Sequence, residues 1–327
     1  MEKYFFVLIF LILASYVYLK LAVKFKIIDK PNQRSSHTKI TVRGGGIIFS
    51  LAIIVFFFLN DYQYPYFILG VFLLSIISFL DDIYTLSSKI RFPFQLLGVL
   101  LTFYQIGVEF LPITASILFL FLLILGVGIV NMFNFMDGIN GITGIYSLSV
   151  LSGFFMINFQ EKLLDQDLII YVGISILVFG FYNFRKKALF FAGDIGSITL
   201  GVLVVFLGLF LAYKLSAPIL IMIIMVYGAD AGCTLLYRKF YTNESILDPH
   251  RHHIYQKLVD IYKIPHLKIS LIYAALQVFI NFVVLKTYHL DVKKQIFVFL
   301  VFMFLFIFCY ILLFKKMKKS LALKNVA

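Results

Sequence analysis

Long apolar segments alternate with short polar ones along the whole chain. There are eleven apolar segments, at residues 4–23, 45–60, 65–80, 93–110, 113–130, 141–159, 168–182, 196–213, 217–236, 268–286 and 295–314. A helix needs roughly 20 apolar residues to cross the hydrocarbon core of a bilayer. The pattern therefore predicts an all-α, polytopic membrane protein with about eleven transmembrane helices. Because the polar connections are short, we expect a single integral membrane domain over residues 1–327.

The composition excludes other broad classes of protein. Hydrophobic residues make up 62% of the chain and charged residues 14%, whereas a soluble domain carries about 25% charged residues. The net charge of +13 would suit nucleic acid, but Lys and Arg collect on the cytoplasmic loops of membrane proteins, so we expect no nucleic-acid partner. Cys233 and Cys309 lie in apolar segments, and two such cysteines give neither a disulfide framework nor a cysteine metal site.

The basic residues predict the orientation in the membrane. If the N-terminus lies outside, 23 of the 29 Lys and Arg residues fall on the cytosolic side, as the positive-inside rule requires. The C-terminus is then cytosolic as well. The unusual polar clusters of the chain lie on the same side, so we expect an active-site cleft on the cytosolic face.

Two of these clusters are rich in side-chain oxygen. Asp81 and Asp82 end an apolar segment, where adjacent carboxylates are costly and repel each other. The pair suits a general base or a cation site, with a solvated helix end as the alternative. Asn131, Asn134 and Asp137 are spaced by three residues and share one face of a helix. Their oxygens suit Mg²⁺ or a nucleotide, with a helix-capping loop as the alternative.

Two further aspartates stand apart from these clusters. Asp194 lies between Gly193 and Gly196, where it predicts either a Mg²⁺ ligand shared with substrate phosphates or a helix cap. Asp230 lies near the cytosolic end of an apolar segment. An ionisable group in that position indicates a functional residue, with a polar helix end as the alternative.

Basic side chains form two more clusters. His250, Arg251, His252 and His253 are consecutive. Histidine clusters often bind zinc, but Arg251 would repel a cation, so the set predicts a phosphate clamp. Arg43 precedes three glycines and a predicted helix, which suits phosphate binding at a helix N-terminus or a positive-inside loop.

Together these clusters indicate phosphoryl chemistry with Mg²⁺ at the membrane surface. A transporter or flippase is the alternative class. Such a protein keeps its ionisable groups near the bilayer midplane, whereas the clusters here lie at the predicted helix ends.

Five motifs, in order along the chain, carry a resemblance to a known family. They are the DxPxxRxxH…RGGG loop, DDIYTL, NMFNFMDGINGITG, FAGDIGS and DPHRHHIYQ. With them the chain resembles the polyprenyl-phosphate N-acetylhexosamine-1-phosphate transferases (glycosyltransferase family 4-like). The resemblance implies a bacterial plasma-membrane enzyme that moves the sugar phosphate of a UDP-N-acetylhexosamine to undecaprenyl phosphate and releases UMP. It also implies dependence on Mg²⁺, with Mn²⁺ as an alternative.

The resemblance also assigns roles to individual residues. It places the metal at Asp194, with Asn134 beside it, and makes Asp81 and Asp82 the pair that binds or deprotonates the lipid phosphate. Asp137 joins these catalytic carboxylates on the nucleotide and sugar side. The expected substrate-binding residues are Asn131, Asn134, Arg43, His250, Arg251, His252 and His253.

The histidine cluster bears on the choice of sugar. The peptidoglycan enzyme of the family carries three consecutive histidines, whereas Arg251 splits the cluster here. This difference favours the branch that initiates O-antigen and similar polysaccharides. The phospho-MurNAc-pentapeptide transferase remains the alternative. The many aromatic residues, 39 Phe and 20 Tyr, could face membrane lipid or a second copy of the chain in a homodimer.

The predicted orientation can be tested with reporter fusions. A reporter fused after Asp61 or Glu161 should lie outside the cytosol, because both residues fall in loops that carry few basic residues. The measurement is the activity of a reporter enzyme that works only outside, paired with a fluorescent protein that matures only inside. A cytosolic signal at either position would contradict the orientation.

Overall fold

The computed structural model describes residues 2–29, 40–108, 113–242 and 251–324. Almost all of this part of the chain is helical. In chain order the helices are α1 (Glu2–Lys24), α2 (Ile47–Leu59), α3 (Pro65–Tyr84), α4 (Ser88–Ile106), α5 (Ile113–Met136), α6 (Ile142–Glu161), α7 (Gln166–Asn183), α8 (Gly193–Leu215), α9 (Met225–Tyr241), α10 (Ile254–Tyr262), α11 (His266–Thr287) and α12 (Val292–Lys324). A 3₁₀ helix, Pro218–Ile224, leads directly into α9. Two short strands, β1 (Ile28–Asp29) and β2 (Thr41–Val42), pair antiparallel.

Each of the eleven predicted apolar segments overlaps a helix. Within the described ranges, nine helical stretches are long and apolar enough to cross a membrane, with Pro218–Tyr241 taken as one. The two remaining segments are α2, which has 13 residues, and α4, whose first turn carries Lys89 and Arg91. The prediction of an all-helical polytopic membrane protein is confirmed, and nine candidate spans replace the expected eleven.

Helix α2 is short but is held at both ends of the bundle. At its start, Gly46 N donates to Ala192 O at 2.9 Å, next to the start of α8. At its end, Asn60 Nδ2 donates to Asp165 at 2.9 Å and to Asp167 at 3.0 Å, where α7 begins. We call the end of the bundle where α3 ends and α8 begins the Asp81 face, and the end with Asn60 and Asp165 the Asp165 face.

Helix α8 is the most buried of the candidate spans in the described residues, with 78% of its apolar window inside the protein, whereas α12 has 6%. Its sequence is apolar on all sides, as expected for a helix surrounded by others. Three hydroxyl groups join it to α2 and α3, since Ser75 Oγ donates to Ser50 Oγ at 2.7 Å and Thr199 lies 2.8 Å from Ser50. These bonds satisfy polar atoms that would otherwise be costly in an apolar interior.

The 3₁₀ helix interrupts the regular hydrogen bonding of one span. Every backbone polar group inside a bilayer needs a partner within the protein. Gln277 of α11 is the partner of two such backbone groups. Its Nε2 donates to Met222 O at 2.9 Å, and its Oε1 accepts from Val226 N at 3.2 Å. The hydroxyl of Tyr146 donates to the same Oε1 at 2.8 Å, so α6, α9 and α11 meet at one buried polar cluster.

The approach of α2 to α8 depends on glycine. A Cβ added at Gly46 would lie 2.2 Å from the Cα of Gly196 and 2.8 Å from Ala192 O. Both obstacles are backbone atoms, so the helices themselves would have to separate. Small residues permit this kind of close contact between membrane helices.

We expect Gly46→Ala to lower the free energy of unfolding by about 1–3 kcal/mol, the usual cost of overpacking. The measurement is thermal unfolding in detergent. Gly128→Ala is the matched control, since a Cβ there meets nothing within 4 Å. It should be neutral or slightly stabilising because alanine favours helix over glycine. Equal unfolding temperatures for the two variants would contradict the packing argument.

Candidate active site

Three aspartates meet at the Asp81 face, and two arginines lie between them. Asp81 and Asp82 come from the last turn of α3, and Asp194 from the first turn of α8. Arg43 pairs with Asp82 at 2.6 Å through Nε and with Asp194 at 3.0 Å through Nη2. Arg91 Nη1 pairs with Asp81 at 2.6 Å and with Asp194 at 3.0 Å. The five charges therefore form one chain in which negative and positive groups alternate, and Asp194 stands at its centre.

Backbone pairing places Arg43 in this network. Strand β2 runs beside the segment that leads into α8, since Phe191 N donates to Val42 O and Gly45 N donates to Phe191 O, both at 2.8 Å. The hydroxyl of Tyr18, near the end of α1, donates to Arg43 O at 2.5 Å. Of the glycines after Arg43, Gly45 lies against Phe190 in the segment before α8, and Gly46 packs against Gly196 of α8 itself.

The two amides expected at the site take different partners. Asn134 hydrogen-bonds the carboxylate of Asp194 and donates to Ser197 Oγ at 3.1 Å. Asn131, one turn earlier in α5, donates to Gln95 Oε1 of α4 at 2.9 Å. The structure thus brings Asn134 to the central carboxylate, while Asn131 lines the neighbouring contact between α4 and α5.

Part of the His/Arg cluster lies outside the described residues, and His250 is among the residues not described. Arg251 forms a bidentate ion pair with Asp260 of α10, at 3.0 and 2.8 Å. The ring of His252 lies 5.9 Å from that of Tyr237. In this structure the charge of Arg251 is therefore balanced by its own segment.

Asp230, a functional candidate from the sequence, anchors this segment. Its carboxylate is buried and accepts hydrogen bonds from Ile254 N at 3.0 Å, Tyr255 N at 3.3 Å and the Tyr273 hydroxyl at 2.6 Å. His253 Nδ1 lies 3.3 Å from the same group. Asp230 therefore caps α10 and ties it to α9 and α11.

A second contact brings α10 to the end of α5. The hydroxyl of Tyr255 donates to Phe135 O at 3.2 Å, two residues before Asp137. A Cβ at Gly138 would lie 2.2 Å from this hydroxyl, so the glycine of the NMFNFMDG motif makes room for Tyr255. The segment with His252 and His253 is thereby fastened beside the turn that carries Asp137.

Comparison with known sequences finds a family to which part of the chain is similar. The profile of glycosyl transferase family 4 matches residues 64–212, the part of the chain that supplies all three aspartates of the network and the α5 amides. This part of the chain, a little under half of its length, is therefore similar to glycosyl transferase family 4. The resemblance carried by the sequence motifs is confirmed.

The individual relatives of this chain differ in their names and in the length over which they match it. The chain is 26% identical over 267 residues to a probable undecaprenyl-phosphate N-acetylglucosaminyl 1-phosphate transferase of Bacillus subtilis, across 73% of this chain and 72% of the relative. A transferase of Yersinia pestis named for undecaprenyl phosphate and α-N-acetylglucosamine is 26% identical over 279 residues, covering 77% and 76%. The phospho-N-acetylmuramoyl-pentapeptide-transferase of Thermotoga maritima is 33% identical over 174 residues, which is 48% of this chain and 56% of that relative.

Sequence reasoning missed Arg91, the second arginine of the network. It counted only as one of many basic residues on the predicted cytosolic side. The available signal was its position, ten residues after Asp81 and in the first turn of the next helix. A basic side chain at this position lies next to the end of α3, because α3 and α4 are joined by a short turn.

The family implies a divalent cation, and the donors at the centre of the site fit one. Mg²⁺ takes oxygen ligands, and one or two carboxylates with substrate phosphates commonly suffice. Asp194 and Asn134 offer a carboxylate and an amide in contact with each other. No group of three or more His, Cys, Asp or Glu side chains in the described ranges is arranged to hold a metal, so phosphate oxygens would have to complete the shell.

The pKa values of Asp137, beside the network, and of Arg43, within it, are shifted. Burial raises the pKa of Asp137 to about 6, although the hydroxyl of Thr143 donates to it at 2.6 Å and opposes the shift. Burial alone would lower the pKa of Arg43, but Asp82 and Asp194 raise it above its ordinary value. Arg43 therefore stays charged at every accessible pH, while Asp137 titrates near pH 6.

The raised pKa of Asp137 predicts a pH-dependent cost in stability. The ordinary pKa of aspartate is about 4, so between about pH 4 and 6 the folded state binds more protons than the unfolded state. The stability contribution of Asp137 then falls as pH rises through this window. We expect the stability gain of Asp137→Asn over the wild type to grow from pH 4.5 to 7.5, as measured by thermal unfolding in detergent.

Asp291→Asn is the control for this experiment. Asp291 is exposed, and a hydrogen bond from Lys294 lowers its pKa, so its removal should bring no gain at high pH. A difference between Asp137→Asn and wild type that stays flat across the pH range would contradict the raised pKa.

Proposed function

We propose that this protein transfers an N-acetylhexosamine 1-phosphate group from a UDP-sugar to undecaprenyl phosphate and releases UMP. The observation that supports this best is the meeting of three carboxylates and two arginines at one end of a membrane bundle. Arginine binds phosphate oxygens strongly, and carboxylates hold the cation that screens them. The site therefore suits a reaction between two phosphorylated substrates, one of them a lipid.

The reaction exchanges one phosphoanhydride for another. An oxygen of the lipid phosphate attacks the β-phosphorus of the UDP-sugar, the bond from that phosphorus to the bridging oxygen breaks, and UMP leaves with the electron pair. A lipid diphosphate sugar remains, so the step is close to reversible. The main barrier is electrostatic, because a negatively charged nucleophile approaches a diphosphate.

Each charged group has a role in lowering this barrier. Asp194 and Asn134 would hold Mg²⁺, which when bound neutralises phosphate charge. Arg43 stays protonated and can bind a phosphate oxygen from its partly exposed position, with 30% of its side chain accessible. Asp81 serves the lipid phosphate, either by binding it through the cation or by accepting its proton.

The nucleotide and sugar side is assigned to the turn after α5. Asp137 lies in this turn and Asn131 lies on α5 before it. Tyr255 fastens the His/Arg segment next to the turn. We assign the diphosphate to Arg251, His252 and His253, together with His250. An imidazole and guanidinium set beside this turn can bind the diphosphate of a soluble nucleotide and leave the lipid phosphate to α3 and α4.

N-acetylglucosamine is the sugar that we favour. The two relatives named for undecaprenyl phosphate and N-acetylglucosamine match across about three quarters of this chain, whereas the pentapeptide transferase match covers about half of it. Arg251 within the histidine cluster supports the same choice. The product would start a cell-surface polysaccharide, such as an O-antigen, in the bacterial plasma membrane.

We further propose that the Asp81 face is cytosolic and that the N-terminus lies outside. The positive charges of the chain support this, because the loops at that face hold most of the Lys and Arg residues. A cytosolic site also gives access to UDP-sugars, which are made in the cytosol.

The direct test is UMP release by the purified protein with undecaprenyl phosphate and Mg²⁺. Separate reactions contain UDP-GlcNAc, UDP-GalNAc, 6-deoxy UDP-sugars and UDP-MurNAc-pentapeptide. We expect UMP from UDP-GlcNAc and a loss of at least about a hundredfold in Asp194→Asn, since removing one preorganised charge contact commonly costs that much.

Asp291→Asn is the matched control, because Asp291 pairs with Lys294 on an exposed helix start. It should retain wild-type turnover. UMP release that survives both Asp194→Asn and chelation of Mg²⁺ would contradict the assignment of the metal. UMP release only with UDP-MurNAc-pentapeptide would show that this compound, and not UDP-GlcNAc, is the substrate.

A further inference from the structure

We infer that the two adjacent aspartates have different tasks, and that Asp82 is a positioning residue that holds Asp194 while only Asp81 serves the substrate. This division rests on the proposed function for the task of Asp194. It separates two side chains that the sequence treats as one pair.

The protein holds both oxygens of the Asp82 carboxylate. Its Oδ1 accepts from Asp194 N at 2.8 Å and pairs with Arg43 Nε at 2.6 Å. Its Oδ2 accepts from Ile195 N at 3.2 Å. None of the side chain is exposed, whereas 15% of the Asp194 side chain is. A phosphate or a cation could reach Asp82 only by displacing backbone amides of α8.

These amides need a partner that α8 itself lacks. The first N–H groups of a helix have no acceptor within the helix. The residue before α8 is Ala192, and no side chain at that position caps the helix. Asp82 supplies the acceptors from another helix, and its negative charge also suits the positive end of the α8 dipole.

Glycine makes this contact sterically feasible. Gly193 has φ +72°, and a Cβ there would lie 2.4 Å from Asp82 Oδ2 and 2.7 Å from Gly44 N. Any other residue would combine an unfavourable backbone conformation with a clash against the carboxylate. The glycine of the GDIGS motif therefore permits the approach of Asp82 to the start of α8.

Asp81 makes a different kind of contact. Its Oδ1 accepts from Leu86 N, within the turn that follows α3, and its Oδ2 pairs with Arg91. Its side chain also lies within hydrogen-bonding distance of the Asp194 carboxylate. Asp81 thus meets α8 through side chains alone, and these can rearrange when a substrate or cation arrives.

Asp82 therefore controls the location of Asp194 at two points. It holds the backbone amide of Asp194 directly, and it holds Arg43, which in turn pairs with the Asp194 carboxylate. Loss of Asp82 should lower kcat by displacing Asp194, with little change in KM. The loss should depend on whether the replacement can still accept the amide hydrogen bond.

The test compares Asp82→Ala, Asp82→Asn and Asp81→Ala by hydrogen–deuterium exchange and by UMP release. We expect the amides at residues 193–198 to exchange about tenfold faster in Asp82→Ala, as loss of a helix cap predicts, and to stay protected in Asp81→Ala. Asp82→Asn keeps an acceptor oxygen, so it should restore protection and recover part of kcat, with KM for both substrates within about twofold of wild type.

Several outcomes would overturn this division. Equal inactivity of Asp82→Asn and Asp82→Ala with fully protected amides would make Asp82 a direct ligand of phosphate or cation. Wild-type kcat in folded Asp82→Ala would reduce its role to stability. If Asp82→Ala cannot be recovered folded, Asp82→Ser against Asp81→Ser gives the same exchange comparison. The exchange result does not depend on turnover, so a wild type that releases no UMP would contradict the proposed function and leave the capping role supported.

Discussion

The structure depends on the neutralisation of three carboxylates at one end of a membrane bundle. Ionised side chains near lipid are costly unless they are paired. Two guanidinium groups lie between three carboxylates here, so a fully ionised set would carry one negative charge in excess. Such an excess would favour the entry of a cation. The ion pairs draw together four elements that are distant in sequence: the loop before α2, the end of α3 and the starts of α4 and α8.

The remainder of the fold holds these helix ends in place. Helix α2 is tied to α8 at Gly46 and to the start of α7 at Asn60, so the bundle is braced at both faces. The hydroxyl cluster of Ser50, Ser75 and Thr199 joins α2, α3 and α8 between these points. Four of the five charged groups therefore lie on packed helices, and Arg43 is held by the backbone pairing between β2 and the segment before α8.

The length of the apolar segments and the composition were enough to predict the helical membrane fold, and Asp81, Asp194 and Asn134 were recognised from their unusual polarity. Other features arise from contacts between distant segments, which leave no local pattern. Arg91 looks like any topogenic basic residue until α4 folds back on α3. The 3₁₀ helix before α9 lies in a uniformly apolar stretch, and its stability comes from Gln277 on another helix.

Two ion pairs of the site differ in how far their carboxylates are exposed to solvent, and this difference determines how easily each pair can be separated. Arg43 and Asp82 form a pair whose carboxylate is inaccessible to solvent, and breaking a buried pair costs about 3–5 kcal/mol. Arg251 and Asp260 are 21% and 42% exposed, and exposed pairs are worth about 0–1 kcal/mol. The Arg43–Asp82 pair is therefore costlier to separate than the Arg251–Asp260 pair. The same guanidinium chemistry thus gives a more permanent contact within the network and a more exchangeable one at α10.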